Sequence, residues 1–392
     1  MIESIESPST TSARQSRQFR DYRVVAKQNE SQVITSFVLE PMDGEPILSY
    51  QPGQYLVFKF VVDGQSILRN YSVSGDPDAL NQLRISVKHE IAPVGLSVPD
   101  GLGSSHLHTQ IQVGDVVQAA GPLGDFYLDE SSERPVVLLS GGVGLTPMLS
   151  MLHRLGNKTS RHVHFIHACE NGDMHAFGPE VLELASRRPG VKALFWYRSA
   201  LAHDKQRPWP YTDGILTKEQ LQQHLPLDDY EFYLCGPSGF MQANYGLLRQ
   251  LGVVADRIHY EFFGPATVLE QTIAAEVSAP AVTLTEEPVL TAAAEQPAQE
   301  MNDKDTGSGI TFLPDGRQAQ WQEGCESLLV AAEAAGLSPD FNCRSGLCNS
   351  CMCTLVSGEV DYFEEPLDEV PEGKVLLCCA RPKGAVVIEL NQ

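Results

Sequence analysis

Nine cysteines occur in 392 residues, and a subset is spaced to do chemistry together. Cys343, Cys348 and Cys351 form a C-x4-C-x2-C pattern, with Cys378 and Cys379 far downstream in Leu-Leu-Cys-Cys-Ala-Arg-Pro. Three thiols so spaced, completed by a distant fourth, suit a plant-type 2Fe-2S cluster, whose bridged ferric ions need soft thiolate charge around them. Such a loop must turn tightly. Gly346 takes positive φ without steric cost, and Asn349 is the next most tolerant residue type. A zinc knuckle fits less well: structural zinc uses two short hooks, only Cys348 and Cys351 form one, and no histidine lies nearby. Cys169, Cys235, Cys325 and Cys353 are isolated, and most of them read as small buried hydrophobes.

A second stretch could bind phosphate. Val136-Val-Leu-Leu139 is a continuous apolar run leading into Ser140-Gly-Gly-Val-Gly-Leu-Thr-Pro147 and a helical segment from Met148. Buried strand, glycine-rich turn and helix present backbone amides and a helix N-terminus to a dinucleotide, although G-x-G-x-x-G is not matched. Cys235-Gly-Pro-Ser-Gly closes a later strand, leaving a thiol and bare backbone at a carboxyl edge where α/β sheets bind ligands. No local histidine is there to make that thiol a nucleophile.

Two further groups gain weight from these. Arg69-Asn-Tyr-Ser72 lies on a strand, where alternation puts Arg69 and Tyr71 on one side and Ser72 on the other. Arginine suits phosphate, an aromatic ring suits a flat heterocycle, and a hydroxyl suits a ring nitrogen or carbonyl. Gly103, Ser104 and Ser105 open an amphipathic stretch and can either cradle a phosphate or merely cap a helix at a serine. His106 and His108 read as helix surface.

The elements that must position these groups change character along the chain. Residues 1–17 are polar and without periodicity, a disordered arm. Residues 18–133 hold short β runs (33–39, 55–62, 69–73, 83–88, 116–120) separated by turn dipeptides, as in an antiparallel barrel. Residues 134–264 alternate strand and helix, an α/β domain with a mostly parallel sheet. Residues 265–308 are rich in Ala, Pro, Thr and Glu, a flexible acidic linker that would let the last domain both dock and turn outward. Residues 309–392 combine a strand pair near Pro314-Asp-Gly316, a helix at 327–335 and strands after the cysteine loop, an α+β fold.

The formal net charge of -22 disfavours nucleic acid and anionic membranes as partners. Residues 134–264, with 12 acidic against 13 basic side chains, escape that bias, as suits a polyanionic ligand. Residues 309–392 carry 13 acidic against 5 basic, as suits docking on a basic protein surface or simple solubility. With no long apolar run and no signal-like N-terminus, a cytoplasmic protein is expected.

Together these motifs resemble the ferredoxin-NADP reductase superfamily fused to a C-terminal plant-type ferredoxin domain, as in reductase components of multicomponent oxygenases. The first two domains are particularly similar to the reductase part of flavohaemoglobins, through Pro52-Gly-Gln-Tyr55, Arg84-Ile-Ser-Val-Lys88, His175-Ala-Phe177 and Glu261-Phe-Phe-Gly264. With only 18 residues before Phe19, no globin domain, and so no haem chemistry, is expected in this chain. The resemblance implies three domains: flavin barrel, α/β NAD(P) domain and β-grasp 2Fe-2S domain. It also implies FAD, with FMN as the alternative because the Gly103 to Ser105 turn could end at one phosphate. Tyr71 would stack on the flavin, Ser72 would reach its N5 region, Arg69 would meet the pyrophosphate, and Phe263 would cover the other face until nicotinamide displaces it. Further cofactor contacts are implied at Tyr55, Asn70, Val87, Lys88, Gly103, Ser104 and Ser105, and at Phe262 and Gly264. For the nicotinamide nucleotide they are implied at Gly142, Val143, Gly144, Leu145, Thr146, Pro147, Cys235, Gly236 and Pro237. The family's C-x-A-x-P ending makes Cys378, not Cys379, the fourth cluster ligand, and Asn349 departs from a common glycine.

The activity implied is NAD(P)H-dependent electron transfer through flavin and cluster to a partner oxygenase. A reductase for another redox protein, such as a hybrid-cluster protein, and an electron-wire subunit of a larger complex are the alternatives. NADH is favoured weakly over NADPH: Arg198 or Lys205 could meet a 2'-phosphate, but Glu170 would repel it.

Overall fold

The computed structural model describes residues 15–62, 64–92, 100–263, 309–322 and 324–391. The expected linker and most of the expected arm lie outside the described residues. Two units emerge, one comprising Met1–Thr267, Asp340–Cys351 and Glu365–Glu369, the other Val268–Pro339, Met352–Glu364 and Val370–Gln392.

In the first unit, strands β1 (Arg20–Asn29), β2 (Ile34–Pro41), β3 (Tyr55–Val62), β4 (Gln65–Ser72) and β5 (Leu83–Lys88) precede helix α1 (Leu102–Thr109) and strand β6 (Val116–Leu123). They form an antiparallel sheet in the order β4-β3-β6-β1-β2-β5. Tyr22, Val24, Phe37, Phe58 and Ile85 are buried at its centre. The sequence runs named above omit β1. Its charged residues break the β signature, and a bulge between Val24 and Ala26 breaks its alternation.

β7 (Val136–Gly141), α2 (Leu145–Lys158), β8 (Val163–Cys169), α3 (Gly178–Ser186), β9 (Val191–Tyr197), β10 (Thr212–Asp213), α4 (Lys218–His224), β11 (Glu231–Gly236), α5 (Ser238–Gln250) and β12 (Ile258–Phe262) complete the unit's ordered elements. Their sheet is wholly parallel, in the order β10-β9-β8-β7-β11-β12. All six residues of β7 are buried, which is why it reads as an unbroken apolar run. Ile34, Phe126 and Leu128 share one apolar cluster with Leu138, Met148 and Tyr233, so barrel and parallel sheet pack as a single body. An ion-paired clamp reinforces this: Arg84 on β5 donates to both carboxylate oxygens of Glu180 on α3, at 2.9 and 2.7 Å, and His153 on α2 lies 2.7 Å from the same carboxylate.

In the second unit, β13 (Gly309–Leu313), β14 (Arg317–Gln320), α6 (Leu328–Ala334), β15 (Met352–Ser357), β16 (Val360–Tyr362), β17 (Lys374–Leu376), β18 (Ala380–Pro382) and β19 (Val386–Glu389) make a β-grasp arrangement. The main sheet runs β14-β13-β19-β15-β17, with β13 and β19 parallel. Ser327 caps α6, its hydroxyl accepting from the Val330 N–H at 3.3 Å.

Candidate flavin, nucleotide and cluster sites

β4 carries the first group. Pairing of β3 with β4 sets Tyr55 opposite Ser72 and Leu56 opposite Tyr71. Tyr55 and Ser72 are buried, Tyr71 and Asn70 are half-buried, and Arg69 reaches out of the sheet. The Ser72 hydroxyl and Asn70 Oδ1 are buried without a hydrogen-bond partner. Two orphaned polar atoms on the strand that also carries a half-buried aromatic ring are what a heterocycle with ring nitrogens and carbonyls would satisfy.

Gly101 is the N-cap of α1 and makes no side-chain cap, so neither serine is the cap. The Ser104 hydroxyl instead donates to Gly101 O and accepts from the Glu90 N–H. A Cβ on Gly103 would lie 2.7 Å from Arg69 Cγ and 3.1 Å from the Tyr71 hydroxyl, so only glycine lets the helix start meet β4. That brings Arg69, Tyr71 and the Gly103 turn together, a guanidinium beside helix amides of the kind that suits a phosphate. At the other end of α1, the Lys27 ammonium donates to Leu107 O, His108 O and Ile111 O, a cation on the helix C-terminus that the sequence did not disclose. His106 and His108 are half-buried, not fully exposed. His108 Nε2 lies 2.9 Å from Val87 O, and its ring stacks on His89 at 4.6 Å. Val87 is a buried β5 residue, and the Lys88 ammonium is held by Glu90 at 2.8 Å.

The nucleotide loop follows β7. Gly142 (φ 52°) opens a one-turn 3-10 helix to Gly144, and α2 starts at Leu145 with Thr146 and Pro147 in its first turn. A Cβ on Gly144 would come within 2.2 Å of Cys235 O, so the absence of a side chain brings the loop against the end of β11. Gly236 follows there, and Pro237 turns the chain into α5. Cys235 is fully buried and burial pushes its thiol well upward, which removes the reading of a thiolate nucleophile. At the neighbouring strand end, Arg198 Nε lies 3.4 Å from Glu170 Oε2.

β12 supplies a further residue, the acid that opens the Glu261 to Gly264 stretch. Glu261 pairs in register with Cys235, its Oε2 is buried without a partner, and burial pushes its carboxyl up to about 8. An acid inside an apolar strand end was the available signal. Phe262 is buried, Phe263 is 38% exposed, and Gly264 lies outside the described residues.

The cysteine loop belongs to the first unit. Arg344 (φ 55°), Gly346 (φ 70°) and Asn349 (φ 58°) all take left-handed backbone, the first unforeseen, and the Leu347 N–H donates to Cys343 Sγ at 3.2 Å. Asn349 thus does what a glycine would. Cys348 and Cys351 are buried, Cys343 is half-buried, and the Cys343 sulfur together with burial pushes the Cys348 thiol upward. Thiols crowded in this way, beside an amide aimed at sulfur, fit a cluster whose positive charge holds them as thiolates. Leu347 packs with Tyr55, Val57 and Leu68, and Cys343 lies against that group. In the second unit, Cys378 and Cys379 are buried on a one-turn 3-10 helix. No disulfide joins any of the nine cysteines.

Three family models match in succession: an oxidoreductase FAD-binding domain over residues 21–127, an oxidoreductase NAD-binding domain over 138–245, and a 2Fe-2S iron-sulfur cluster binding domain over 310–383. The flavohem-like FAD/NAD binding domain of nitric oxide dioxygenase from Vibrio cholerae is 41% identical, with a TM-score of 0.55, and is covered over 99% of its length by 63% of this chain. The chain belongs to the ferredoxin-NADP reductase family. This reductase adds a 2Fe-2S domain to the flavin and nicotinamide domains, and phthalate dioxygenase reductase shares that whole fold, covering 96% of this chain at a TM-score of 0.54 and 22% identity. The flavohemoprotein of Chromobacterium violaceum is 45% identical over 248 residues, 61% of its own length. The reductase therefore spans about three-fifths of that curated relative. None of the described helices is long and apolar enough to cross a membrane.

Proposed function

We propose that this NAD(P)H-dependent flavin and iron-sulfur reductase passes electrons to a separate oxygenase, and that it does so in the cytoplasm. One observation supports the reading: Leu347 and Cys343 of the cysteine loop pack with Tyr55, which pairs with Ser72 of the proposed flavin group. When bound, flavin and cluster convert a two-electron hydride into single electrons.

The chain's own residues supply binding and orientation. Gly142 to Pro147 hold the dinucleotide's phosphates on loop amides and the start of α2. Cys235, neutral and small, leaves room at the β11 end for the nicotinamide. Tyr71 supports the flavin ring, Ser72 and Asn70 satisfy its polar edge, and Arg69 with Gly103 to Ser105 holds phosphate. Phe263 guards the exposed ring face, and Glu261, its carboxyl pushed upward by burial, pairs in register with Cys235. Cys343, Cys348, Cys351 and Cys378 hold the cluster, with Cys379 as a buried neighbour. The Glu170 carboxylate beside Arg198 favours NADH over NADPH.

Two similarities support an oxygenase as acceptor: the fold shared with phthalate dioxygenase reductase, and the 13 acidic against 5 basic side chains of residues 309–392, suited to a basic docking face. The test is NADH-driven turnover of purified oxygenases with the intact chain. Steady cytochrome c reduction together with stimulated hydroxylation supports the reading. Cytochrome c reduction without stimulation of any oxygenase points to a different redox partner, and no turnover of either contradicts a free-standing reductase.

A further inference from the structure

Resting on the electron path proposed above, we infer that Asp368, held by Lys59 and Ser66 of the β3–β4 hairpin, is a positioning residue. It fixes the register of the cysteine loop on the barrel and so the rate at which electrons pass from flavin to cluster. Asp340–Cys351 and Glu365–Glu369 fall in the same unit as the barrel, although Met352–Glu364 between them does not.

Strand register shows what these two segments meet. Cross-strand partners share a face, so Tyr55 with Ser72, Val57 with Asn70, Lys59 with Leu68 and Val61 with Ser66 line one side of the hairpin. Tyr55, Val57 and Leu68 form an apolar floor on which Leu347 and Leu367 pack. Lys59 and Ser66 follow toward the hairpin tip. Lys59 Nζ donates to Asp368 Oδ1 at 2.7 Å, and the Ser66 hydroxyl donates to Oδ2 at 3.3 Å. With side chains 28% and 18% exposed, Lys59 and Asp368 are partly sheltered from screening by salt.

Apolar contact is non-directional and by itself would let Leu347 slide along the floor, whereas a carboxylate gripped by an ammonium and a hydroxyl from two strands has one register. The grip reaches the cysteines through the backbone: the Leu367 N–H donates to Gly346 O at 3.0 Å, inside the turn from Cys343 to Cys348. Arg17 adds a further hold by donating to Glu365 O. Lys59 lies four residues beyond Tyr55, about 13 Å along the strand, so the loop and its brace are held at two separated points. Each transfer moves one electron and turns one ferric ion ferrous, with NADH supplying the electron pair and no bond made or broken in that step. Its rate is set by how the two groups are held, and a displacement of about 1 Å costs about tenfold or more.

The test uses the full-length holoprotein with Lys59→Glu, with Asp368→Lys, and with both. Each single change sets like charges face to face, and the double change restores an opposite pair. Anaerobic stopped-flow reduction by NADH separates flavin bleaching from the cluster's visible change, and hydrogen exchange read by mass spectrometry follows the backbone over residues 340–351 and 365–369. In each single variant flavin reduction should keep the parent rate, cluster reduction should slow by about tenfold or more, and exchange over both segments should quicken by about tenfold. The double variant should return cluster reduction and exchange to within about threefold of the parent. Unslowed cluster reduction in the single variants, slowing without faster exchange, equal slowing of flavin and cluster, or a double variant no better than the singles would overturn the inference. A parent whose cluster NADH does not reduce would overturn the electron path beneath it as well.

Discussion

Replacing Glu180 by Gln should both destabilise the reductase and misalign its two lobes. Burial by itself would raise the Glu180 carboxyl, but hydrogen bonds from His153 and Arg84 outweigh it and hold the group at about 2, against an ordinary 4.5. That difference corresponds to roughly 3 kcal/mol at neutral pH, and the 25% of the side chain that meets water trims it to about 2 to 3 kcal/mol. Because the folded carboxyl is depressed, the stabilisation is present above about pH 4.5 and is lost as pH falls toward about 2. Glu180→Gln also strands the Arg84 guanidinium, which among the described residues keeps its bond to Ser74 O and its place over the Phe177 ring. Urea unfolding followed by tryptophan fluorescence should show the variant about 2 to 3 kcal/mol weaker near pH 7, with the gap narrowing as pH falls below about 4.5 toward about 2. Stopped-flow reduction of the flavin by NADH should slow by about tenfold, since the clamp joins the barrel to the helix beside the nucleotide loop. Equal stability near pH 7, or a gap that does not change with pH, would refute the reasoning.

Two other expectations follow from the sites. Glu261→Gln should remove an inflection near about 8 from the pH profile of flavin reduction by NADH, because the buried carboxyl ionises only as pH rises through that value; the same inflection in the variant would refute a role for Glu261. Cys378→Ser should abolish the cluster's visible absorbance and its reduced-state paramagnetic signal, whereas Cys379→Ser should keep both; the reverse pattern would reassign the fourth ligand.

Much of this was legible in the residues. The cysteine spacing, the glycine loop after an all-apolar strand, and the change from short β runs to strand and helix alternation are local signals, and local signals survive in sequence. What was hidden depends on contacts between distant residues. Arg84 and Glu180 are 96 positions apart, and nothing near either announces the pair. Glu261 looks like any strand-end acid until burial beside Cys235 is seen, and Lys27 looks like a surface lysine until α1 ends against it. The serines at 104 and 105 suggested a cap, but close approach of Gly103 to Arg69 starts the helix earlier.

The central claim is an electron path from nicotinamide through flavin to cluster within one chain. Anaerobic titration of the intact protein with NADH, read by flavin bleaching and by the paramagnetic signal of the reduced cluster, tests it most directly. The account predicts that both are reduced, two electrons going to flavin and one to the cluster, and that Cys378→Ser keeps the flavin step alone. A flavin that bleaches while an intact cluster stays oxidised, with a suitable acceptor left unreduced, would contradict it.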